Sequence, residues 1–245
     1  MFAIGIVSSQ AQVYSQNVVG YINQVIPVGY SMIANQVDYD GTGTNNTLAN
    51  IMPSPPNYTH IYKFNGAGYD IANYYNGWNA SGSSMTLNPG EGAFILNNSG
   101  SPITNTFVGT VLQGYLTNAV PAGYSIKGFS VPISGAISTT LKYPVGNFDH
   151  IYTWTGTNYA IYNYYNGWGV SGEPTINVGQ SFFISRGAST NWVVHLFWDL
   201  LFGASQNTCT IPKIVDLGPT FLTGFRCRPL VCKMLAGMTP AKPSG

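Results

Sequence analysis

Histidine is the only residue titrating near neutral pH that this chain carries at matching positions twice, as His60 and His150. Such a pair would suit acid–base catalysis or metal binding, because imidazole titrates near neutral pH and is a common metal ligand. Neither histidine has a second candidate ligand that is also duplicated. We therefore expect partly buried imidazoles that are hydrogen-bonded to backbone and packed on tyrosine, with no metal site and no cofactor.

The carboxylates do not form a catalytic pattern. Glycoside hydrolysis needs two carboxylates at a fixed separation, and Asp149 and Glu173 are candidates if one copy has specialised. Their spacing does not require that role, and no acid within the repeated blocks has an acidic counterpart in the other copy. The motifs of serine hydrolases, zinc proteases and phosphate-binding loops are missing from the sequence. The chain is predicted to have no catalytic residues and no enzymatic activity.

Aromatic side chains are the better candidates for binding. Two short segments carry the same rings and amides, namely Tyr74, Tyr75, Asn76 and Trp78 in the first and Tyr164, Tyr165, Asn166 and Trp168 in the second. Rings beside amides can stack on the C–H face of a neutral sugar and hydrogen-bond its hydroxyl groups. The same rings could instead fill a core. Tyr74 and Tyr164 are predicted to be exposed, and Tyr75 and Tyr165 to be core residues.

These residues belong to an internal duplication. Residues 60–78 and 150–168 are identical at 12 of 19 positions, and flanking blocks also match, with small changes of offset. A period of roughly 90 residues is too long for a solenoid and suits two small domains built on one plan. We place β module 1 at residues 12–111 and β module 2 at residues 112–195.

The periodicity within a module is that of β-strands. In residues 69–75 the odd positions recur unchanged in the other copy, while the even positions Asp70 and Ala72 are replaced by Ala160 and Tyr162. Alternate residues of a strand face opposite sides, so we expect the unchanged side to be the packed one. Asn76-Gly77 and Asn166-Gly167 are typical of tight hairpin turns in which both residues have positive φ.

The remaining elements predict the fold class. Further strands are expected near residues 17–25, 30–36, 83–88, 103–109 and 192–195, with one helical turn near 47–52. Many short strands separated by Gly, Pro and Asn turns indicate a sandwich or barrel. The sequence predicts an all-β fold of two tandem β-sandwich or barrel-like modules, with about seven strands each, and an irregular C-terminal tail.

Composition narrows the environment and the partners. Only 7% of the 245 residues are charged and the net charge is +1, whereas ordinary soluble domains carry about 25% charged residues. Nucleic-acid binding normally needs clustered Lys and Arg, so we do not expect it. No stretch reaches the roughly 18 apolar residues of a membrane helix. Residues 1–11 look like the remnant of a secretory signal, which predicts export to the cell surface or beyond.

The C-terminal tail, residues 196–245, has a different composition. It holds all three Cys and five of the nine Lys and Arg residues, but none of the 17 Tyr. The Cys spacing is a poor zinc signature, because no His or fourth Cys lies nearby. We expect this segment to lie outside both modules.

Several of these motifs together suggest a family. The chain combines a Gly-Tyr-Ser strand, an Ile-Tyr-x-Phe/Trp strand, the Asn-Gly-Trp turn and the Pro-Gly-Glu-Gly-Ala-Phe-Ile turn. It resembles uncharacterised exported repeat proteins of environmental bacteria, especially the Verrucomicrobia type, and more distantly the β-sandwich modules of secreted Bacteroidetes proteins. The resemblance covers residues 12–195. It implies an extracellular β-sandwich and brings no activity or catalytic residues.

Two functions from different classes follow. The chain is predicted to be a structural or adhesive protein of the cell surface or matrix, whose partners are other copies of itself. The alternative is a carbohydrate-binding protein with one Tyr/Trp/Asn platform per module, whose partner is a polysaccharide.

Overall fold

The structure of the protein is a computed structural model that describes residues 19–196. The signal remnant predicted at residues 1–11 and the first residues of module 1 lie outside this range. Residues 197–245 of the predicted tail also lie outside it.

Short β-strands account for most of the described chain. The first half contains β1 (Val19–Ile26), β2 (Gly29–Ala34), α1 (Leu48–Ile51), β3 (Thr59–Phe64), β4 (Tyr69–Tyr74), α2 (Ala80–Ser84), β5 (Gly92–Asn97) and β6 (Ile103–Thr110). The second half contains β7 (Tyr115–Val120), β8 (Gly123–Gly128), β9 (Gly135–Ala136), β10 (Asp149–Trp154), β11 (Tyr159–Tyr164), β12 (Thr175–Ile176), β13 (Ser181–Arg186) and β14 (Thr190–His195). Neither helix in the described range is long enough to cross a membrane.

The two helices test the local predictions. The helical turn expected near residues 47–52 is confirmed as α1. The strand expected near 83–88 is wrong, because α2 ends at Ser84 and Thr86 makes only an isolated bridge to Thr47. The Asn79 side chain accepts a hydrogen bond from Gly82 N at 2.9 Å. This cap satisfies a free amide of the first turn and so favours a helix there.

Each half is a two-layer β-sandwich. In the first half, an antiparallel sheet of order β2-β5-β3-β4 lies opposite the β1-β6 ribbon. In the second half, the equivalent sheet of order β8-β13-β10-β11 lies opposite the β7-β14 ribbon, with an additional β9-β12 pair. The all-β sandwich prediction is confirmed, and none of the described sheets closes into a barrel.

Branched aliphatic and aromatic side chains fill the space between the two layers of each half. The first core includes Ile22, Ile26, Ile33, Leu48, Ile61, Ile95 and Phe107. The second core includes Val120, Phe129, Ile151, Phe182, Ile184 and Trp192. Each half therefore has its own hydrophobic core, built mainly from the inward-facing side of its four-stranded sheet and ribbon.

On β4 the positions that are unchanged between the two copies lie on the outer face of the sheet. On β4 the even position Ala72 is fully buried in the core, whereas the odd positions Tyr69, Ile71 and Asn73 are exposed. The expectation that the unchanged side is the packed one is therefore wrong. An inward position tolerates Ala72 in one copy and a half-buried Tyr162 in the other, because neighbouring core residues differ as well.

The two halves contact each other with approximate two-fold symmetry. Ala34 N donates to Gly179 O at 2.7 Å, and the equivalent atoms of the other half, Gly128 N and Gly90 O, form the same bond at 3.0 Å. A bond that is repeated in both directions is characteristic of an isologous interface. The duplicated chain therefore resembles a two-fold dimer formed within one polypeptide.

Residues near the pseudo-two-fold axis contact their own equivalents. The pairs are Ala34 with Gly128, Gly92 with Ser181, and Phe94 with Phe183. Side-chain amides extend the pattern, since Gln24 Nε2 donates to Gly179 O and Asn118 Nδ2 donates to Gly90 O, each at 2.8 Å. Small residues at the axis allow the two backbones to approach closely.

Candidate functional site

The outer faces of the two sheets meet in a third apolar cluster. Its buried members are Met32, Phe94, Ile126 and Phe183, and Tyr62, Phe64, Tyr152 and Trp154 pack around them. Phe94 and Phe183 lie at the centre, with ring centroids 6.1 Å apart. Each of these rings also packs edge-on against an aromatic residue of the opposite half: Phe94 on Trp154 at 5.7 Å, and Phe183 on Phe64 at 5.4 Å.

Two open clefts adjoin this cluster, and every residue lining them is aromatic. Cleft A, of about 350 Å³, is lined by Tyr30, Tyr62, Tyr69, Phe94, Trp154 and Tyr159. Cleft B, of about 330 Å³, is lined by Phe64, Tyr69, Tyr124, Tyr152, Tyr159 and Phe183. Each residue of one cleft has its duplicated counterpart in the other, so the pseudo-two-fold axis relates the two clefts.

Both clefts need residues from both halves of the chain. Tyr69 of the first half and Tyr159 of the second half line both clefts, which makes the clefts neighbours. At the mouths, Tyr30 is 44% exposed and Tyr124 is 54% exposed. The two clefts differ in one bond, because Trp154 Nε1 donates to Tyr30 O at 2.9 Å and Phe64 has no such donor.

Burial holds two of the cleft tyrosines in their neutral form. Burial raises the pKa of Tyr152 to about 12. Burial, with a smaller contribution from Tyr69, raises the pKa of Tyr159 to about 12. The clefts therefore combine apolar ring faces with hydroxyl groups that stay protonated at physiological pH. Such a surface can stack on a flat apolar face and hydrogen-bond to groups at its rim.

The predicted turn residues divide into two groups. Tyr74 packs edge-on against Trp78, with centroids 5.3 Å apart, and Trp78 Nε1 donates to Met52 O at 2.8 Å, which fixes the indole against the first core. In the second half, Tyr164 packs on Trp168 at 5.2 Å, and Trp168 Nε1 donates to Ser138 Oγ. Both tryptophans are half-buried and pack against the core of their own module.

Tyr75 and Tyr165 point away from the core. Each is 61% exposed, whereas Tyr74 and Tyr164 are half-buried, so the predicted exposure of these two pairs is wrong and reversed. The even positions of β4, Ala72 and Tyr74, face the core and the odd positions face outward, so Tyr75 continues the outward series just past the end of the strand. The turn itself is as predicted, with φ of 53° at Asn76 and 144° at Gly77.

A second exposed ring lies beside each turn. Tyr75 packs on Tyr58, and in the other half Tyr165 packs on Phe148. Tyr58 and Phe148 have φ of 67° and 68°, a conformation that bulky residues rarely adopt. Paired amides hold each turn in place, since Asn76 N donates to Asn57 Oδ1 and Asn166 N donates to Asn147 Oδ1. Each predicted site is thus a small exposed ring pair beside amide groups.

The histidines and the two candidate acids have structural partners. His60 and His150 are half-buried, and their Nδ1 atoms hydrogen-bond to the side chains of Asn73 and Asn163, not to backbone as expected. Asp149 is buried and accepts from Gly146 N, and Glu173 accepts from Ser138 N. Among residues 19–196, no three His, Cys, Asp or Glu side chains are grouped as metal ligands.

Sequence reasoning missed the clefts. Their signal was present, because the aromatic positions 62, 64 and 69 recur as aromatic positions 152, 154 and 159. The expectation that the unchanged side of residues 69–75 is packed placed Tyr69 in a core, whereas these rings form an outer surface. Comparison of the chain with protein-family models, curated proteins and solved structures finds no match.

Proposed function

We propose that this chain is a non-enzymatic extracellular adhesion protein that binds polysaccharide in its two aromatic clefts. The observation that carries the proposal is the presence of two equivalent, solvent-accessible clefts lined entirely by aromatic rings. A structural core would bury such rings, but Tyr30, Tyr69 and Tyr124 are all more than a third exposed.

The chemistry of the clefts suits a sugar ring. A pyranose presents apolar C–H faces that stack on aromatic rings, and its hydroxyls bond to polar groups at the edge. The cleft volumes of about 330 and 350 Å³ lie at the small end of ligand pockets. They can therefore hold one or two sugar residues of a chain that continues outside.

Binding to insoluble polysaccharide tests this proposal. Tyr30→Ala combined with Tyr124→Ala removes one exposed ring from each cleft mouth, and we expect retention on the polysaccharide to fall at least tenfold. Tyr75→Ala combined with Tyr165→Ala is the matched control, because it removes two similarly exposed tyrosines from the turns predicted from sequence. Loss of retention in the turn variant alone would place the site at the turns, and unchanged retention in both would contradict the proposal.

Self-assembly is a second candidate function, favoured by the composition of the ribbons. Strands β1, β6, β7 and β14 contain no Lys, Arg, Asp or Glu. Natural sheet edges usually carry charges that block pairing with another molecule. Tyr21 and Val25 on β1 are strongly exposed, so this ribbon offers a neutral surface to another copy.

Light scattering over a range of protein concentrations tests the assembly. Val25→Lys places a charge on the outer face of β1, and we expect it to abolish any concentration-dependent growth in mass. Val170→Lys, at a fully exposed loop residue, is the control. A monomer at every concentration in the unmodified chain would rule out this second function.

A further inference from the structure

The surroundings of the two clefts differ in charge. Residues 19–196 contain just four basic side chains, Lys63, Lys127, Lys142 and Arg186. Two of these, Lys63 and Lys127, line a cavity of about 390 Å³ together with Glu91. The cavity lies between the halves and shares Phe64 and Tyr124 with cleft B. It therefore adjoins that aromatic site.

The pseudo-two-fold position beside cleft A has no charge. The residues equivalent to Lys63, Glu91 and Lys127 are Thr153, Gln180 and Ile33. The aromatic linings of the two clefts are equivalent, so the surroundings are the main difference between them. The two clefts therefore offer similar ring surfaces but different charges to a ligand.

The cavity has an uncompensated positive charge. Lys63 Nζ bonds to Glu91 Oε2 and Thr86 O, at 2.9 and 2.8 Å, so these two side chains neutralise each other. Lys127 is half-buried, and within residues 19–196 its Nζ donates only to the neutral Asn118 Oδ1, at 3.3 Å. Burial lowers the pKa of Lys127 despite the nearby Glu91 carboxylate. An additional anion would satisfy this ammonium group.

A second polar group in the cavity is also unsatisfied. Ser125 is buried and lines the cavity, and its hydroxyl has no hydrogen-bond partner among the described residues. A buried hydroxyl without a partner is uncommon and normally indicates a missing polar group. An ammonium and a hydroxyl on the same cavity wall are the donors that a carboxylate requires.

We propose that cleft B and this cavity together bind an acidic sugar, with the sugar ring on Phe64 and Tyr124 and its carboxylate at Lys127, while cleft A binds a neutral sugar. This inference rests on the proposed function, because it assigns a ligand class to one of its two clefts. The carboxylate of a uronic acid residue lies on the sugar ring itself, so the stacked ring and the ionic contact can form together.

Matched ligands separate this inference from the proposed function. Pectate and alginate can be compared with their carboxyl-reduced forms, which keep the chain but lose the charge. We expect the full-length protein to bind the acidic forms about tenfold more tightly, and Lys127→Met to remove this preference while keeping the affinity for the reduced forms. Lys142→Met, which removes a lysine outside the cavity, should change neither value.

Other outcomes are equally informative. Equal affinity for acidic and reduced forms, with both lost in Tyr30→Ala plus Tyr124→Ala, would overturn the acidic specificity and keep the proposed function. No binding of any form would overturn both. Should Lys127→Met fail to fold, Glu91→Gln provides the test, because removal of the cavity's carboxylate should strengthen binding of the acidic forms by several-fold. An unchanged or weaker affinity in Glu91→Gln would contradict the inference.

Discussion

Substitution of Gly128 by Ala tests the docking of the two halves most directly. A Cβ atom added at Gly128 would lie 2.4 Å from the Cβ of its equivalent, Ala34, whereas carbon atoms in contact stay about 3.5–4.0 Å apart. Ala34 is fully buried and held by its bond to Gly179 O, so it cannot move away easily. Overpacking of this kind costs about 1–3 kcal/mol in the free energy of unfolding.

The symmetry makes a stronger prediction for the double variant Ala34→Gly plus Gly128→Ala, which exchanges the two residues. Ala34→Gly alone should cost about 1–2 kcal/mol, from the loss of one buried methyl group and the added flexibility of glycine. If the sites were independent, the double variant would lose about 2–5 kcal/mol, the sum of the two effects. Because the exchange only moves one methyl group across the axis, we expect the double variant to lie within about 1 kcal/mol of the natural protein.

Urea unfolding followed by tryptophan fluorescence and by far-ultraviolet circular dichroism measures these free energies. Gly187→Ala is the control, since a Cβ there meets no atom within 4 Å, and surface changes of this kind stay within about 0.5 kcal/mol. A double variant as unstable as the sum of the single variants would refute the pseudo-two-fold contact.

Two further predictions concern charge and protonation. Asp149 lies 3.7 Å from the mostly buried guanidinium of Arg186. Asp149→Asn removes the counter-ion of this guanidinium and should lower the free energy of unfolding by about 3–5 kcal/mol. The control is Asp70→Asn at an exposed position, which should have little effect in the same urea titration. At high pH, unfolded tyrosines ionise near 10 while burial keeps Tyr152 and Tyr159 protonated to about 12. The unfolded state then releases protons first, so stability should be complete below pH 10 and fall as the pH rises to about 12. A urea midpoint that stays constant across this interval would contradict the second prediction.

Much of the fold could be predicted from sequence because strand periodicity and turn chemistry are local. The Asn-Gly turns, the helical turn at α1 and the final strand β14 are set by neighbouring residues, and each is confirmed. The failed strand near 83–88 is also local, since the Asn79 cap competes with extended structure there. Short-range signals of this kind do not depend on how the halves are arranged.

The clefts could not be predicted, because they depend on contacts between distant parts of the chain. The contact of Phe94 with Trp154, and of Phe64 with Phe183, exists only when two sheets meet at their outer faces. The alternation of residue types along a strand shows that its two faces differ, but it does not show which face is in contact with water. In this protein both faces are apolar enough to be a core, so the exposed Tyr69 and the buried Ala72 could not be told apart.

The pseudo-two-fold axis has a consequence for any polymer that the protein holds. A two-fold rotation reverses every direction perpendicular to its axis, and a glycan chain has a reducing and a non-reducing end. Equivalent binding in cleft A and cleft B therefore requires the polymer chains to run in opposite directions. Two chains of opposite polarity can each lie in their own cleft side by side, whereas a single straight chain would enter one of them backwards. A protein with this arrangement would cross-link two antiparallel polymer chains.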